Sequence, residues 1–236
     1  MASDMSGYTS LVGYFKVLSA RPCTAPLVAG VDEAGRGPML GPMVMAVAAV
    51  RPEAEDILVS LGVRDSKLIA PRRRTRLRDI LLEVLDYAAI RVVEPHEIDE
   101  AVAGESYENL NYLEAGVAAE LIRGLLAHCS VDVVYVDSPD PVSARFGRLV
   151  ERLVGGRVRV VAESDADKKY PVVSAASIIA KTERDRLIEE LKNRFGDFGS
   201  GYPSDPRTRK WAKAWLEAHG EPPPIARRSW KSWRRL

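Results

Sequence analysis

The sequence predicts an α/β fold, and three observations support this class. Residues 27–50 have the pattern of a strand hairpin, because an apolar run leads into a glycine-rich turn and a second apolar run follows. Residues 131–162 have the pattern strand, helix, strand, which implies a right-handed parallel crossover. Residues 107–126 carry leucine and valine at helical spacing, so a long helix is expected between these two units. The chain is 46% hydrophobic and can bury a sizeable core.

The other elements follow in chain order. Proline at position 71 fits a helix start, and an apolar face at helical spacing follows it. The remaining predictions are a short helix at 53–61, a strand at 88–93, a short helix opening at 94–99, a helix at 172–195 and two short helical stretches after residue 205.

Composition excludes several classes of protein. Cys23 and Cys129 have no metal-ligand spacing and suggest no disulfide framework, so a reduced, cytoplasmic protein is expected. The three histidines form no cluster in the sequence, which argues against a zinc site. No apolar run is long enough to span a membrane, and no basic region precedes the weak apolar patch of the N-terminal extension, so neither a membrane protein nor a signal peptide is expected.

Basic residues are concentrated at the C-terminal end. Residues 205–236 hold nine Lys or Arg residues and three Asp or Glu residues, although the net charge of the whole chain is +1. A basic end on a slightly acidic body indicates a polyanionic partner, and a solvated, solubilising tail is the alternative. All four tryptophans also lie in this segment; Trp211 and Trp215 are expected to pack, and Trp230 and Trp233 to dock the tail on the body.

Acidic residues stand at the ends of two predicted buried strands. Asp32 and Glu33 end the first strand, and Asp137 ends the strand 131–136. Charge at the end of a buried strand costs free energy unless it is paired or binds a cation. Adjacent strand residues point to opposite faces, so Asp32 and Glu33 share a site only if the strand ends or bends there, which Gly35 allows. A solvated turn is the simpler alternative, and the glycines match neither a dinucleotide fingerprint nor a phosphate loop.

The string VDEAGRGPMLGPMV at residues 31–44 resembles the signature of ribonuclease HII. Further segments resemble that family in the same order along the chain: DSKL at 65–68, EPHEID at 94–99, VSAASIIAK at 173–181 and GSGYPSD at 199–205. The resemblance implies a ribonuclease H-like fold with a mixed five-stranded sheet flanked by helices and a helical C-terminal segment. It predicts an N-terminal extension at 1–26, a catalytic domain at 27–204 and a basic segment at 205–236 packed on it.

The resemblance also implies which residues act. Asp32, Glu33, Asp137 and Asp167 are expected to be both catalytic residues and ligands of a divalent metal, Mg²⁺ or Mn²⁺. The helix string makes Asp167, rather than Asp165, the fourth acid, and Asp165 adds an unusual charge beside it. The residues expected to bind substrate are Gly35, Arg36, Gly37, Lys67, Ser174, Lys181 and Tyr202.

The predicted activity is that of an endoribonuclease. It would hydrolyse the RNA strand of RNA/DNA hybrids and cut at ribonucleotides in duplex DNA, leaving 5′-phosphate and 3′-hydroxyl ends, as DNA replication and repair require. Four carboxylates without a cation would repel one another, so the cluster fits a metal site better than a structural one. A monomer is expected. The alternatives are a non-cleaving hybrid-binding module on the same fold and a metal-dependent phosphatase for small substrates; the four acids and the basic regions argue against them.

Overall fold

The computed structural model of the protein describes residues 13–63 and 70–236. Its centre is a mixed sheet of six strands in the order β1-β4-β3-β2-β5-β6. The strands are β1 (Phe15–Ala20), β2 (Leu27–Ala34), β3 (Met43–Val50), β4 (Tyr87–Val93), β5 (Val131–Asp137) and β6 (Arg159–Glu163). Strands β1 to β4 pair antiparallel, whereas β5 runs parallel to β2 and to β6. The predicted hairpin and the parallel crossover are therefore both present.

The sheet has one strand more than the five that the sequence predicts. The extra strand is β1, which lies within the predicted N-terminal extension and pairs antiparallel with β4. Its partner is about 70 residues away in the sequence, and no local pattern reports such a distant pairing. The α/β class and the ribonuclease H-like arrangement are unaffected, and the proposed division into three segments stays a prediction.

Eight α-helices of the described residues flank the sheet, and each face of the sheet has its own core. They are α1 (Glu55–Ser60), α2 (Pro71–Val84), α3 (Pro95–Ala103), α4 (Leu110–Leu126), α5 (Ser143–Leu153), α6 (Ala166–Lys169), α7 (Pro171–Phe195) and α8 (Pro206–His219). Helix α4 packs with α5 over one face, and α7 packs with α2 over the other. A Cβ at Gly30 would lie 2.4 Å from the backbone nitrogen of Val173, so glycine lets α7 approach β2 closely.

The C-terminal segment packs on the body through a third apolar cluster. Phe198 and Ile225 are buried there, and Trp211, Trp230 and Trp233 pack against the cluster. A short 3₁₀ helix, Lys231–Arg235, ends the chain. The tryptophans therefore dock the segment, as the sequence predicts. None of the helices in the described ranges is both long and apolar enough to cross a membrane.

The expectation that the two cysteines form no disulfide is wrong. Cys23 and Cys129 are bonded, with their Cα atoms 5.5 Å apart and 106 positions between them in the sequence. Cys23 lies in the connection between β1 and β2, and Cys129 lies between α4 and β5. These connections meet because the backbone N–H of Leu27 donates to the carbonyl of Ser130 at 2.9 Å. Two isolated cysteines carry no sequence signal of such a tertiary contact.

Candidate active site

Three acidic side chains meet at the carboxyl ends of two parallel strands. The parallel ladder aligns Val31 of β2 with Val136 of β5, so the residues that follow them lie side by side: Asp32, two residues before the end of β2, and Asp137, the last residue of β5. Glu33 comes next on β2, and one carboxylate oxygen from each of the three acids lies within 4.8 Å of the others. The carboxyl ends of parallel strands are where α/β sheets gather ligands. The predicted convergence of these three acids is therefore observed.

Burial and mutual repulsion make this cluster electrostatically costly without a cation. The pKa of Asp32 is raised well above its ordinary value, first by burial and then by the charges of Glu33 and Asp137. The pKa of Glu33 is raised to about 7 by burial, followed by the charges of Glu114 and Asp137. Hard divalent cations prefer oxygen ligands of this kind. A divalent metal would stabilise the charged carboxylates, so the residues fit such an ion.

The fourth predicted acid is near the cluster but not within the group of three. Asp167 is only 5% exposed on the short helix α6. The backbone N–H of Ala166, its neighbour, donates to Asp137 Oδ1 at 2.7 Å, which ties α6 to the cluster. Asp165 differs, because its side chain is 56% exposed and pairs with Lys168 at 2.9 Å. Burial thus favours Asp167 over Asp165 as the fourth acid.

The Gly35–Gly37 turn follows the acids directly. Gly35 has a φ of 86°, in the left-handed region that glycine adopts most easily, and a Cβ there would lie 2.1 Å from Nε of Arg184. The side chain of Arg36 turns to α4, where Nε pairs with Glu114 Oε1 at 2.8 Å and Nη2 donates to Asn111 Oδ1 at 2.8 Å. These two contacts hold the side chain of Arg36 against α4.

A cavity of about 920 Å³ opens beside the acids and the turn. Its walls include Glu33, the turn, Lys181 of α7 and Tyr202. The ring of Tyr202 is 39% exposed and lies 3.6 Å from where a Cβ of Gly37 would stand. Tyr202 is therefore a wall of the cavity rather than a core residue. The other cationic side chains that line the cavity are Arg72, Arg74, Arg184 and Lys192.

One of the predicted substrate-binding residues does not fit this picture. Ser174 is fully buried, and its hydroxyl donates to the carbonyl of Asp167. The prediction that Ser174 contacts substrate is not supported, because the side chain instead holds the junction of α6 and α7. Its position in the helix string gave no information on which face it occupies. Lys67 lies outside the described residues.

Three further residues at the site were not recognised from the sequence. Glu114 is 1% exposed and has a pKa raised to about 7 by burial. It lies four residues after Leu110 and three before Val117, which places it on the apolar face of α4. A charged residue on that face is a sequence signal that could have identified it. Arg184 is 7% exposed and Arg227 is fully buried, and both contact the Gly35–Gly37 turn. No sequence pattern separates these two arginines from exposed ones.

The six-stranded mixed sheet, with clustered acids at the ends of its central parallel strands, defines a nuclease of the ribonuclease H-like class. Residues 29–233 match the family model described as Ribonuclease HII. The chain belongs to the ribonuclease HII family. Its members are ribonucleases H, endonucleases that act on the RNA of RNA/DNA hybrids and depend on divalent metals.

Individual relatives agree with this assignment. Ribonuclease HII of Thermofilum pendens is 57% identical over 209 residues, covering 89% of this chain and 98% of that protein. The crystal structure of ribonuclease H2 from Pyrococcus horikoshii OT3 is 43% identical, with a TM-score of 0.80 over 89% of this chain and 96% of that one. The ribonuclease HII in the PCNA:RNase HII complex from Archaeoglobus fulgidus is 44% identical, with a TM-score of 0.78 over 87% and 95% of the two chains.

Proposed function

We propose that this ribonuclease H cuts both RNA/DNA hybrids and duplex DNA that contains a single ribonucleotide, with Mg²⁺ or Mn²⁺ as cofactor. The observation that carries the proposal is the convergence of Asp32, Glu33 and Asp137, whose ligand oxygens lie within 4.8 Å of one another. These three acids and Asp167 would hold the metal. A bound divalent ion would supply an activated water and would stabilise charge on the leaving oxygen. The products would be a 5′-phosphate and a 3′-hydroxyl.

The protein itself would position the substrate. Lys181, on the wall of the cavity, would contact a backbone phosphate, because a lysine ammonium binds phosphate as a point charge. Basic residues near the site would add attraction that is independent of sequence. Ser174 would act indirectly by holding Asp167, and Lys67 stays a prediction.

The Gly35–Gly37 turn would recognise the ribose. Only the 2′-hydroxyl separates RNA from DNA at the sugar, and it both donates and accepts hydrogen bonds. Glycines let the backbone approach a sugar without a side chain in the way. The ring of Tyr202, exposed in the cavity wall beside this turn, would stack on the neighbouring deoxyribose and so recognise an RNA–DNA junction.

The assembly state and location belong to the same proposal. We propose that the protein acts as a monomer. We keep the cytoplasmic location and the role in DNA replication and repair as parts of the proposal.

The decisive experiment compares cleavage of three labelled duplexes: a hybrid, a DNA duplex with one ribonucleotide, and an all-DNA duplex. Each is incubated with Mg²⁺, with Mn²⁺ or with a chelator. The first two should be cut only with metal, and the third should stay intact. Asp137→Asn keeps the shape of the side chain and removes its charge, so it should abolish most cleavage while duplex binding persists. A variant that binds as before and cuts at the wild-type rate would contradict the assignment of Asp137.

A non-cleaving binding module is the competing function, and it predicts no product with any metal. No feature of the site favours it.

A further inference from the structure

The C-terminal tail holds all three carbonyl groups of the Gly35–Gly37 turn. Arg227 donates from Nη2 to the carbonyl of Gly35 at 2.6 Å and from Nη1 to that of Arg36 at 2.8 Å. Trp230 donates from Nε1 to the carbonyl of Gly37 at 3.1 Å. Arg227 also donates from Nε to the carbonyl of Gly41 at 3.0 Å, which fixes the far end of the same loop. Side chains almost 200 positions later in the sequence thus set the orientation of this turn.

Peptide geometry converts this arrangement into an orientation of donors. No cis peptide bond occurs among the described residues, and a trans peptide directs its carbonyl and its N–H to opposite sides. Holding the carbonyls of Gly35 and Arg36 on the tail side therefore directs the N–H groups of Arg36 and Gly37 away from the tail. Among the residues that the structure describes, neither of these N–H groups has an acceptor. Both belong to residues that line the cavity beside the acids.

The contacts are specific to an arginine and a tryptophan. Arg227 has no exposed surface, so its charge is not available to a phosphate in solution. Its pKa is lowered to about 9, by burial first and by the nearby charge of Arg184 second, and it remains a cation at neutral pH. The guanidinium fork reaches three acceptors at once, which an ammonium cannot do in the same geometry. The centre of the Trp230 ring lies 5.2 Å from Cζ of Arg227, so this ring packs against the guanidinium.

We propose that Arg227 and Trp230 are positioning residues for ribose recognition. Arg227 holds the two carbonyls that orient the N–H groups of Arg36 and Gly37 towards the 2′-hydroxyl. Trp230 holds the next carbonyl, that of Gly37, and packs against the Arg227 guanidinium. This inference rests on the proposed function of the turn. It assigns the buried part of the basic tail to specificity rather than to phosphate binding.

The test measures discrimination between ribose and deoxyribose. In an Asp137→Asn background, which prevents cutting, the dissociation constant is measured for a duplex with one ribonucleotide and for the matching all-DNA duplex. Trp230→Phe keeps an aromatic ring beside Arg227 and removes the donor to the turn, together with part of the apolar contact of the indole. Trp211→Phe is the matched control, because Nε1 of Trp211, in the same apolar cluster, donates to the carbonyl of Phe195 at 3.2 Å and not to Arg227 or the turn.

Trp230→Phe should lower the ratio of the two affinities by up to about five-fold, the effect of losing one hydrogen bond to the 2′-hydroxyl, while Trp211→Phe leaves the ratio unchanged. Arg227→Lys should lower the ratio further. Affinity for the all-DNA duplex should stay near the wild-type value in each folded variant.

An unchanged ratio in Trp230→Phe, or an equal loss in Trp211→Phe, would overturn the inference and leave the tail with a purely structural role. Failure of the proposed function is recognised separately, since the wild-type protein would then cut no ribonucleotide-containing duplex with any metal. Arg227→Lys carries the larger effect but also the larger risk of misfolding, and the milder Trp230→Phe keeps the test valid in that case.

Discussion

Removing the disulfide should lower the stability of this protein substantially. The Cys23–Cys129 bond closes a loop over a sequence separation of 106 residues. The chain-entropy relation for a loop of that length gives a loss of about 4.8 kcal/mol in the free energy of unfolding when the bond is absent. For a chain of this size, each kcal/mol corresponds to roughly 2–4 °C in the melting temperature, so the expected decrease is about 10–20 °C.

Calorimetry of the wild-type protein with and without a thiol reductant measures this effect directly. Cys23→Ser is the better variant, since Cys23 is partly exposed whereas Cys129 is 6% exposed and packs in the core. The variant should melt at the temperature of the reduced wild type and should not respond to reductant. Two free thiols in the untreated, folded wild type, or equal melting temperatures with and without reductant, would refute the reasoning.

Four further outcomes are expected. Asp167→Asn should abolish most cleavage, whereas the exposed Asp165→Asn should be mild; the reverse result in a cleavage assay would exchange their roles. Tyr202→Ala should lose far more activity on a single embedded ribonucleotide than on a long hybrid, with little change in melting temperature, and equal losses would return Tyr202 to a packing role. Neutralising the three cations of Lys231–Arg235 should flatten the dependence of duplex affinity on salt. The slope of log affinity against log salt concentration should change by up to about 0.9 for each phosphate that is no longer neutralised. An unchanged slope would exclude phosphate binding there. Burial, followed by the charge of Glu97, raises the pKa of Glu94 from 4.5 to about 8. The stability that Glu94 contributes is therefore present at low pH and is lost as the pH rises through this range. Glu94→Gln should make the melting temperature fall less between pH 5 and 8, and an identical pH profile would contradict the shift.

The acids of the central strands could be predicted because their signal is local. An apolar run that ends in Asp32 or Asp137 reports both a buried strand and an unusual charge at its end. The strand, helix, strand pattern between residues 131 and 162 predicts the parallel pairing of β5 with β6. The pairing of β2 with β5, which brings the acids together, joins segments about 100 residues apart and was expected only from the resemblance to the family.

The features that the sequence did not predict depend on contacts between segments that are distant in the chain. The pairing of β1 with β4, the disulfide, and the hydrogen bonds of Arg227 with the turn each join residues far apart in the sequence. In the sequence, Arg227 is one of nine cations in a basic segment and resembles its exposed neighbours. Its burial depends on the carbonyls that surround it in the fold, so composition assigned it to phosphate binding by default. Ser174 shows the opposite case, because a resemblance in sequence does not reveal which way a side chain points.

Strand β1 also covers β4, which would otherwise be the edge strand on this side of the sheet. Without it, β4 would be an edge strand, and its sequence Tyr87–Val93 is apolar at every position but one. An exposed apolar edge offers its unpaired N–H and carbonyl groups to any other strand and is a template for aggregation. Strand β1 covers that edge with a short segment that is largely exposed, contains Lys16 and has a register shift between Val17 and Ser19. Short length, charge and irregular register are features that make an edge a poor partner, so β1 is less suited than β4 to pair with another chain.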